Sequence, residues 1–297
     1  MLTLLHISDL HFGPHFLPRV ADAVLRSAAV LAADIIVASG DFTQRAKPPE
    51  YAAARAFLDR LPSAPLVVVP GNHDVPLYRV RERLFTPYDL YREHINHELD
   101  YVLRHEQAVI VALNSTHPLR AITNGRIRRE QLELCTRTFA AAPAEAVRIV
   151  VAHHHFAPAP DFEKTSAMPG AKVALESFTQ ARVDLVLGGH LHRAYIGNSL
   201  DVYAGADREH GVIIVQCGTT TSRRGRGRER EKNTFNLIRV DDAAVRITHY
   251  MYFDDADGFA PIGYHMFPRA RRKFFAAPLE ADPFVVTDES GKPTAES

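Results

Sequence analysis

The sequence contains no tryptophan and only two cysteines among its 297 residues. Cys135 and Cys217 are far apart, and neither lies at a spacing typical of metal binding, which argues against a structural zinc site built from thiolates. Cys135 falls on one helical stripe with Leu132 and Phe139. This position predicts a buried thiol rather than a reactive one.

Neither sign of charge is in excess. Lysine plus arginine and aspartate plus glutamate both number 35. The chain therefore has no global basic field to attract nucleic acid and no global acidic field to repel phosphates. We expect local charges to attract any anionic small molecule, and we do not expect nucleic acid as a partner.

Long apolar runs and targeting signals are also missing. No stretch approaches the ~18 apolar residues of a membrane span. Residues 1–6 lead into the first predicted strand without a basic segment or a long apolar segment. We therefore expect a cytoplasmic protein without a membrane span. No period of about 20 to 50 residues repeats, which excludes a solenoid.

The sequence does contain five short motifs rich in residues that bind metal ions. They are Asp9-x-His11, Gly40-Asp41, Gly71-Asn72-His73-Asp74, His153-His154-His155 and Gly189-His190-Leu191-His192. Each motif follows a short apolar run that predicts a buried strand. These runs span residues 2–7, 35–38, 66–69, 149–152 and 185–187.

The order of strands and motifs predicts that these side chains meet. Residues 18–33 and 49–61 show helical periodicity between the strands, and alternation of strand and helix favours parallel pairing. Parallel strands end at one edge of a sheet, where α/β proteins bind their ligands. We therefore predict one crevice that contains seven metal-binding side chains: Asp9, His11, Asp41, Asn72, His153, His190 and His192.

Seven ligands are too many for one tetrahedral ion and suit two ions that share one carboxylate. The mixture of carboxylate, amide and imidazole groups suits borderline divalent ions, namely Mn, Fe, Zn or Co. The sequence therefore predicts a binuclear centre with two divalent metal ions as cofactors.

In this order the five blocks resemble the signature of the calcineurin-like metallophosphoesterase superfamily, which is D-x-H, G-D, G-N-H-D or E, H, and G-H-x-H. They lie between residues 9 and 192. The overall pattern is most similar to the small bacterial branch of phosphodiesterases. The resemblance implies an α/β fold, a four-layer αββα sandwich in which two mixed β-sheets are flanked by helices.

The resemblance also implies a role for each residue. One ion would be held by Asp9, His11, Asp41 and His192. The other ion would be held by Asp41, Asn72, His153 and His190, so that Asp41 is the bridge. His73 would act as a general acid or stabilise the transition state, and Asp74 would orient it.

The implied activity is hydrolysis of a small phosphate ester, with a metal-bridging hydroxide as the nucleophile. The resemblance favours a phosphodiesterase of the cyclic nucleotide or glycerophosphodiester type. Pyrophosphatase or phosphomonoesterase activity on nucleotide-linked or lipid-linked substrates is the alternative. A non-catalytic binding scaffold is an alternative of another class, although such proteins usually lose ligands and this sequence keeps all seven.

Three segments have two interpretations each. By the resemblance His153 is the ligand, and His154 either lines the site or does not. His155 stands where the family often has proline, which leaves the local geometry of the loop open. Residues 114–117 follow a strand and form either the edge of the pocket or a turn. Residues 223–230, Arg-Arg-Gly-Arg-Gly-Arg-Glu-Arg, are either a solvated hairpin tip or a source of guanidinium groups for an anionic substrate.

The remaining patterns predict helices and strands outside the motifs. Helices are predicted at residues 88–96 and 128–140. Strands are predicted at 101–104, 108–113, 194–196, 202–203, 212–216, 233–240 and 245–252. We expect one domain over residues 1–277 and a flexible tail over residues 278–297.

Overall fold

Two six-stranded sheets of mixed strand direction form the fold. A computed structural model describes residues 1–119, 124–158, 166–203, 211–227 and 230–269. Residues 278–297, for which the sequence predicts a flexible tail, lie outside the described residues, and the single domain over 1–277 stays a prediction.

Within these residues the chain forms twelve strands and six α-helices. The strands are β1 (Leu2–Ile7), β2 (Ile35–Ala38), β3 (Leu66–Val68), β4 (Tyr101–Arg104), β5 (Ala108–Leu113), β6 (Val147–Ala152), β7 (Leu185–Gly188), β8 (Tyr195–Asn198), β9 (Ile213–Gln216), β10 (Thr234–Val240), β11 (Ala244–Phe253) and β12 (Gly258–Pro268). The helices are α1 (Pro18–Leu31), α2 (Pro48–Leu58), α3 (Val80–Phe85), α4 (Asp89–His94), α5 (Arg129–Ala140) and α6 (Ala171–Gln180).

The first sheet has the strand order β12-β11-β10-β1-β2-β3. β1, β2 and β3 are parallel, whereas β10, β11 and β12 are joined to β1 by antiparallel pairing. All six residues of β1 are buried. A strand covered on both faces favours apolar residues on both faces, which is why the motif strands appear in the sequence as largely apolar runs.

The second sheet has the strand order β4-β5-β6-β7-β9-β8. Its four central strands β5, β6, β7 and β9 are parallel, and β4 and β8 pair antiparallel at the two edges. The carboxyl ends of β6 and β7 therefore lie at the same edge of this sheet.

The two sheets pack face to face over an apolar core to which both contribute, including Leu4, Val37, Ile110, Val151 and Leu187. The outer face of the first sheet packs against α1, α2 and α4. The outer face of the second sheet packs against α5 and α6. This arrangement confirms the predicted four-layer αββα sandwich of two mixed sheets flanked by helices.

Most predicted elements have the expected type and place, and four predicted strands, at residues 2–7, 35–38, 101–104 and 108–113, have the expected bounds. The strand predicted at 202–203 is wrong, because these residues form a turn after a short 3₁₀-helix, Ser199–Asp201. α3, α6 and β12 were not predicted. α3 has only six residues, none of which is buried, and such a helix is too short for its periodicity to identify it.

Burial explains the state of the cysteine in α5. Cys135 is completely buried, and this burial raises the pKa of its thiol to about 12. The prediction that this thiol is buried is confirmed, and the raised pKa keeps it in the protonated form that is a poor nucleophile. No helix in the described segments is both long enough and apolar enough to cross a bilayer.

His6 on β1 is a completely buried histidine next to the site. Its Nε2 atom lies 2.9 Å from Ser39 Oγ, and burial lowers the pKa of the imidazole to about 3. An unfolded histidine has a pKa near 6.5, so below that pH the unfolded chain binds a proton that the native protein excludes. Stability from this group is complete above pH 6.5 and falls as the pH decreases towards 3.

We therefore expect the variant His6→Gln, measured without metal, to lose stability less steeply than the original protein between pH 6.5 and 5. The expected difference in slope averages about 1 kcal/mol per pH unit over this range, because the unfolded histidine is only half protonated at pH 6.5. Urea denaturation at several pH values measures it. His97→Gln, at an exposed position, is the control and should keep the original slope. Equal slopes for His6→Gln and the original protein would contradict the assignment.

Candidate metal centre

The seven predicted metal ligands all lie where strands of the two sheets end. Asp9, Asp41 and Asn72 follow β1, β2 and β3 of the first sheet, and His153 and His190 follow β6 and β7 of the second sheet. The apolar runs predicted five parallel strands that end at one edge of a sheet. The strands instead belong to two sheets, and the face-to-face packing brings the two sets of strand ends together.

Four of the predicted ligands form a first cluster: Asp9, His11, Asp41 and His192. Their ligand atoms all lie within 4.8 Å of one another, and all four residues are buried. His192 Nε2 lies 3.0 Å from His11 Nε2 and 3.2 Å from Asp9 Oδ1. The four side chains therefore converge on one small volume.

A second cluster is formed by Asp41, Asn72, His153 and His190. Asn72 Oδ1 lies 3.2 Å from His153 Nε2 and 2.8 Å from His190 Nδ1. His153 Nε2 lies 3.4 Å from Asp41 Oδ2. The structure thus brings together all seven predicted side chains in two overlapping groups.

The two clusters share one oxygen atom. Asp41 Oδ2 lies 3.6 Å from His11 Nε2 in the first cluster and 3.4 Å from His153 Nε2 in the second. The other carboxylate oxygen, Oδ1, accepts a hydrogen bond of 2.8 Å from the backbone amide of His73. A single buried oxygen, rather than one oxygen for each cluster, therefore faces both groups of ligands.

The spacing of these atoms fits bound metal ions. Nitrogen and oxygen ligands at about 2.0 to 2.2 Å from an ion lie roughly 3 to 3.5 Å from one another. The described protein also leaves Asp9 Oδ1 buried without a hydrogen-bond partner. A buried carboxylate oxygen without a partner is costly unless a cation or a donor approaches it. Both observations fit a divalent ion between the side chains of the first cluster.

The charges of the clusters follow from burial and from close neighbours. Burial alone would raise the pKa of Asp9 and Asp41, but His192 beside Asp9 and His153 beside Asp41 hold both values well below the usual range. Burial opposes protonation of His153, but Asp41 raises its pKa to about 9. Burial lowers the pKa of His11 to about 4. Two buried carboxylates therefore stay ionised and attract cations.

Five ligands have backbone angles that most residues avoid. The φ values are 52° for Asp9, 49° for His11, 54° for Asp41, 75° for His190 and 53° for His192. A left-handed backbone costs about 1 to 3 kcal/mol at a residue other than glycine. Such a cost at five positions requires strong support from the surrounding structure.

Part of this support is pairing between the loops after β1 and β2. The backbone amide of Asp9 donates to Gly40 O at 3.0 Å, and that of His11 donates to Asp41 O at 2.9 Å. The amide of Phe12 then donates to Phe42 O at 2.8 Å. The two loops are therefore hydrogen-bonded to each other beyond the sheet, and this pairing fixes the direction of three ligand side chains.

Backbone carbonyl groups orient two of the imidazole rings. His153 Nδ1 lies 2.8 Å from Ser39 O, and His192 Nδ1 lies 2.7 Å from Arg224 O. A carbonyl oxygen only accepts, so Nδ1 of each ring donates and Nε2 is the atom that faces the cluster. This is the ring orientation that a metal ligand needs, and a bound ion would take the place of any proton on Nε2.

His73 lies beside the first cluster rather than in it. Its ring is 4.9 Å from the ring of His11 in an edge-to-face arrangement. His73 Nδ1 donates to Gln44 O at 2.8 Å, and His73 Nε2 lies 3.1 Å from the guanidinium of Arg224. The side chain therefore points away from Asn72, as expected for neighbouring residues.

Asp74 supports the loops instead of the His73 ring. Its carboxylate accepts hydrogen bonds from the amides of Gly71, Phe42 and Thr43, at 2.9, 3.2 and 2.9 Å. Burial and the nearby charge of Asp41 raise the pKa of Asp74 to about 7. The expectation that Asp74 orients His73 directly is replaced by contacts that tie the Asp41 loop to the Asn72 loop. The ring is oriented by the Gln44 carbonyl.

His154 and His155 support His190. The ring of His154 lies 4.6 Å from that of His190, and the ring of His155 stacks on it at 5.5 Å. His154 Nδ1 lies 2.8 Å from Ser115 Oγ, which places the segment 114–117 against the site. Burial lowers the pKa of His155 to about 4, so this ring is neutral near pH 7.

Several residues that support the clusters were not predicted from the sequence. Thr219 Oγ1 donates to Asp9 O at 2.7 Å, and Thr221 Oγ1 donates to Leu10 O at 2.9 Å. These threonines belong to a polar run that follows β9, Gly218-Thr219-Thr220-Thr221-Ser222. The rule that a strand ending in glycine and polar residues feeds the site would have identified this run as a sixth motif.

Known proteins resemble this chain in sequence and in fold. A family model described as calcineurin-like phosphoesterase matches residues 2–194. A probable cyclic nucleotide phosphodiesterase from Synechococcus sp. is 28% identical over 217 residues, which cover 69% of this chain and 79% of that protein. Glycerophosphodiester phosphodiesterase GpdQ from Enterobacter lignolyticus is 37% identical over 83 residues, which cover 25% of this chain and 30% of that protein.

The fold is also similar to that of a purple acid phosphatase from yellow lupin seeds. The TM-score is 0.66 and the identity is 14%, over 97% of this chain and 57% of the phosphatase chain. This chain therefore spans little more than half of that protein, and the likeness concerns the fold. Because the matching family model covers more than half of the 297 residues and includes all five motifs, the chain belongs to the calcineurin-like phosphoesterase family of metal-dependent phosphoester hydrolases.

Proposed function

We propose that this chain is a phosphodiesterase that uses two divalent metal ions and acts on a cyclic nucleotide or a glycerophosphodiester. The observation that carries this proposal is the shared oxygen of Asp41. Asp41 Oδ2 lies 3.6 Å from His11 Nε2 and 3.4 Å from His153 Nε2. A site for one ion has no need of a carboxylate oxygen that faces two sets of ligands.

The preference for diesters is supported by the sequence relatives. The Synechococcus protein is a probable cyclic nucleotide phosphodiesterase, and the Enterobacter protein is a glycerophosphodiester phosphodiesterase. The similarity to the purple acid phosphatase concerns the fold and adds nothing about the ester. Monoesters and pyrophosphates are therefore the competing substrates to be compared with diesters.

The scaffold alternative is disfavoured by the backbone of the ligands. Five ligand residues have positive φ values between 49° and 75°. A binding surface on this fold has no use for such strained positions, whereas a metal centre needs the side chains that they direct inwards. We therefore regard the protein as an enzyme rather than as a scaffold.

The two groups of residues around Asp41 would hold the two ions. When bound, the ions would supply an activated water for attack on phosphorus and would neutralise charge on the phosphoryl oxygens. The mixture of carboxylate, amide and imidazole ligands suits Mn, Fe, Zn or Co as these ions.

The residues of the chain have separate tasks in this proposal. Asp9 and Asp41 keep their negative charge because neighbouring imidazoles lower their pKa values. Asp74 holds the loops of Asp41 and Asn72 in register through three backbone amides. His73 presents Nε2 beside the first cluster and would give a proton or a hydrogen bond to the leaving oxygen.

We expect protein that has been stripped of metal to be inactive and to recover activity with Mn, Fe(II), Co or Zn. The recovered kcat/KM should be higher for the diester bis(p-nitrophenyl) phosphate than for the monoester p-nitrophenyl phosphate. Cyclic AMP, a glycerophosphodiester and a nucleotide pyrophosphate complete the panel. Asp41→Asn should retain less metal in both clusters, as measured by elemental analysis, because the shared oxygen loses its charge.

Asp59→Asn is the matched control, since this aspartate lies on the surface and pairs with Arg55. It should retain the original metal content and activity. Two ions per chain in Asp41→Asn, or no activation by any of the four metals, would contradict the two-metal proposal. Preference for the monoester would refute the diester assignment without affecting the assignment of the chain to the family.

We expect His73→Ala to keep its metal content and to lower kcat by ~10²-fold or more for esters with poor leaving groups. Nitrophenolate leaves without a proton, so the loss should be smaller for nitrophenyl esters than for alkyl esters. Steady-state kinetics with both kinds of ester measure the difference. An equal loss for both would show that His73 positions the phosphate and donates no proton.

Gly71 precedes Asn72 and lies against the shared carboxylate. A Cβ atom at this position would come within 2.1 Å of Asp41 Oδ1. The φ value of Gly71 is −96°, which alanine adopts freely, so the effect of a substitution is a steric one on Asp41. The position of Asp41 therefore requires a residue without a side chain at position 71.

We expect Gly71→Ala to displace Asp41, to lower the content of both metals and to lose most activity. Gly258→Ala is the matched control, because a Cβ atom there comes no closer than 3.5 Å to a neighbouring atom. Elemental analysis and thermal denaturation of both variants provide the comparison. Original metal content in Gly71→Ala would mean that the Asp41 loop moves without losing the site.

A further inference from the structure

Arg224 is the one described member of the arginine-rich segment 223–230 whose guanidinium reaches the site. Its Nη1 atom lies 3.1 Å from His73 Nε2 and 3.1 Å from Gln44 Oε1. Arg223 and Arg226, on either side of it, are exposed. One arginine of this segment is therefore placed differently from its neighbours.

Arg224 contacts Nε2 of His73, the atom through which His73 would act on the leaving oxygen. His73 Nδ1 lies 2.8 Å from Gln44 O, which can only accept, so Nδ1 carries the proton. A guanidinium group can only donate, so Nε2 of His73 is the acceptor from Arg224. While this contact lasts, His73 cannot give a hydrogen bond through Nε2. Arg224 must move before His73 can contact a leaving oxygen.

The positive charge of Arg224 has no counterion of its own. In the described part of the chain, no carboxylate lies within ion-pair distance of its guanidinium. Burial lowers the pKa of Arg224, and the attractive charges nearby are those of Asp41 and Asp9. These two carboxylates belong to the metal clusters, so bound cations would compensate them. A half-buried guanidinium beside a loaded metal centre then favours an anion.

The backbone around Arg224 is held in place independently of its side chain. The carbonyl oxygen of Arg224 accepts a 2.7 Å hydrogen bond from His192 Nδ1. The amide of Arg226 donates to His192 O at 3.0 Å. Any substitution at residue 224 keeps the carbonyl that orients His192. The effect of the side chain can therefore be separated from the effect on the metal ligand.

We propose that Arg224 is the residue that binds the phosphoryl group of the substrate, and that it releases His73 when it does so. Without substrate the guanidinium rests on His73 Nε2 and Gln44 Oε1. With substrate it donates to a non-bridging phosphoryl oxygen, and Nε2 of His73 becomes accessible to a proton from solvent, which it needs before it can donate to the leaving oxygen. This inference rests on the proposed phosphodiesterase function and adds to it the recognition of the anion.

The experiment compares Arg224→Ala and Arg224→Lys with Arg223→Ala and Arg226→Ala, all loaded with metal. Titration calorimetry gives the Kd of inorganic phosphate, and kinetics give KM and kcat for bis(p-nitrophenyl) phosphate. In Arg224→Ala we expect both the phosphate Kd and KM to rise by about 10- to 100-fold, the range for a lost charge-assisted hydrogen bond. Arg224→Lys should be intermediate, and the two control variants should match the original protein.

Two further measurements distinguish binding from a structural role. Metal content should be unchanged in Arg224→Ala, because the carbonyl that supports His192 remains. Added guanidinium ion at millimolar concentration should partly restore the KM of Arg224→Ala and should not affect the control variants. Loss of metal, or a fall in kcat with unchanged KM and phosphate Kd, would overturn the inference in favour of a structural role.

The proposed function and this inference fail in different ways. An original protein that binds phosphate but hydrolyses no ester would refute the function, while weaker phosphate binding in Arg224→Ala would still support the inference. An original protein that hydrolyses diesters, with an unchanged phosphate Kd in Arg224→Ala, would refute only the inference. Absence of phosphate binding in the original protein would also refute it.

Discussion

Hydrogen bonding between the loops after β1 and β2 is the constraint on which the metal centre depends. These loops leave neighbouring parallel strands and stay paired through three backbone hydrogen bonds from residues 9, 11 and 12. The pairing holds Asp9, His11 and Asp41 at positive φ, and their side chains meet in the clusters beyond the strand ends. Without this pairing each residue would relax to a more favourable conformation, and the carboxylates would point elsewhere.

The packing of the two sheets brings together the candidate ligands of both clusters. The first sheet supplies the carboxylates and the amide, and the second sheet supplies His153, His190 and His192 at the ends of its parallel strands. Neither sheet contains a full set of ligands for either cluster. The apolar core between the sheets therefore sets the distance between ligand groups, and a bound ion would join the two halves of the sandwich as well as fill its site.

The resemblance of the five motifs to a known family predicted the fold. The largely apolar runs that lead into these motifs located the candidate ligands, because strands buried on both faces contain few polar residues. Which strands belong to which of the two sheets was not predicted. The sequence of an apolar run such as residues 149–152 does not show which strand it pairs with. Nor could the sequence predict the role of Asp74, whose partners are backbone amides, or the contact of Arg224 with His73. Such contacts depend on how loops fold in three dimensions.

Three histidines of the site donate hydrogen bonds from Nδ1 to main-chain carbonyls rather than to side chains. Ser39 O supports His153, Gln44 O supports His73, and Arg224 O supports His192. Every amino acid carries that carbonyl, so the rings stay oriented whatever residue occupies positions 39, 44 and 224. Substitution of the side chains at 44 and 224 therefore leaves this support of the His73 and His192 rings in place. The strength of anion binding can thus be altered at residue 224 without disturbing the imidazole that faces the first cluster.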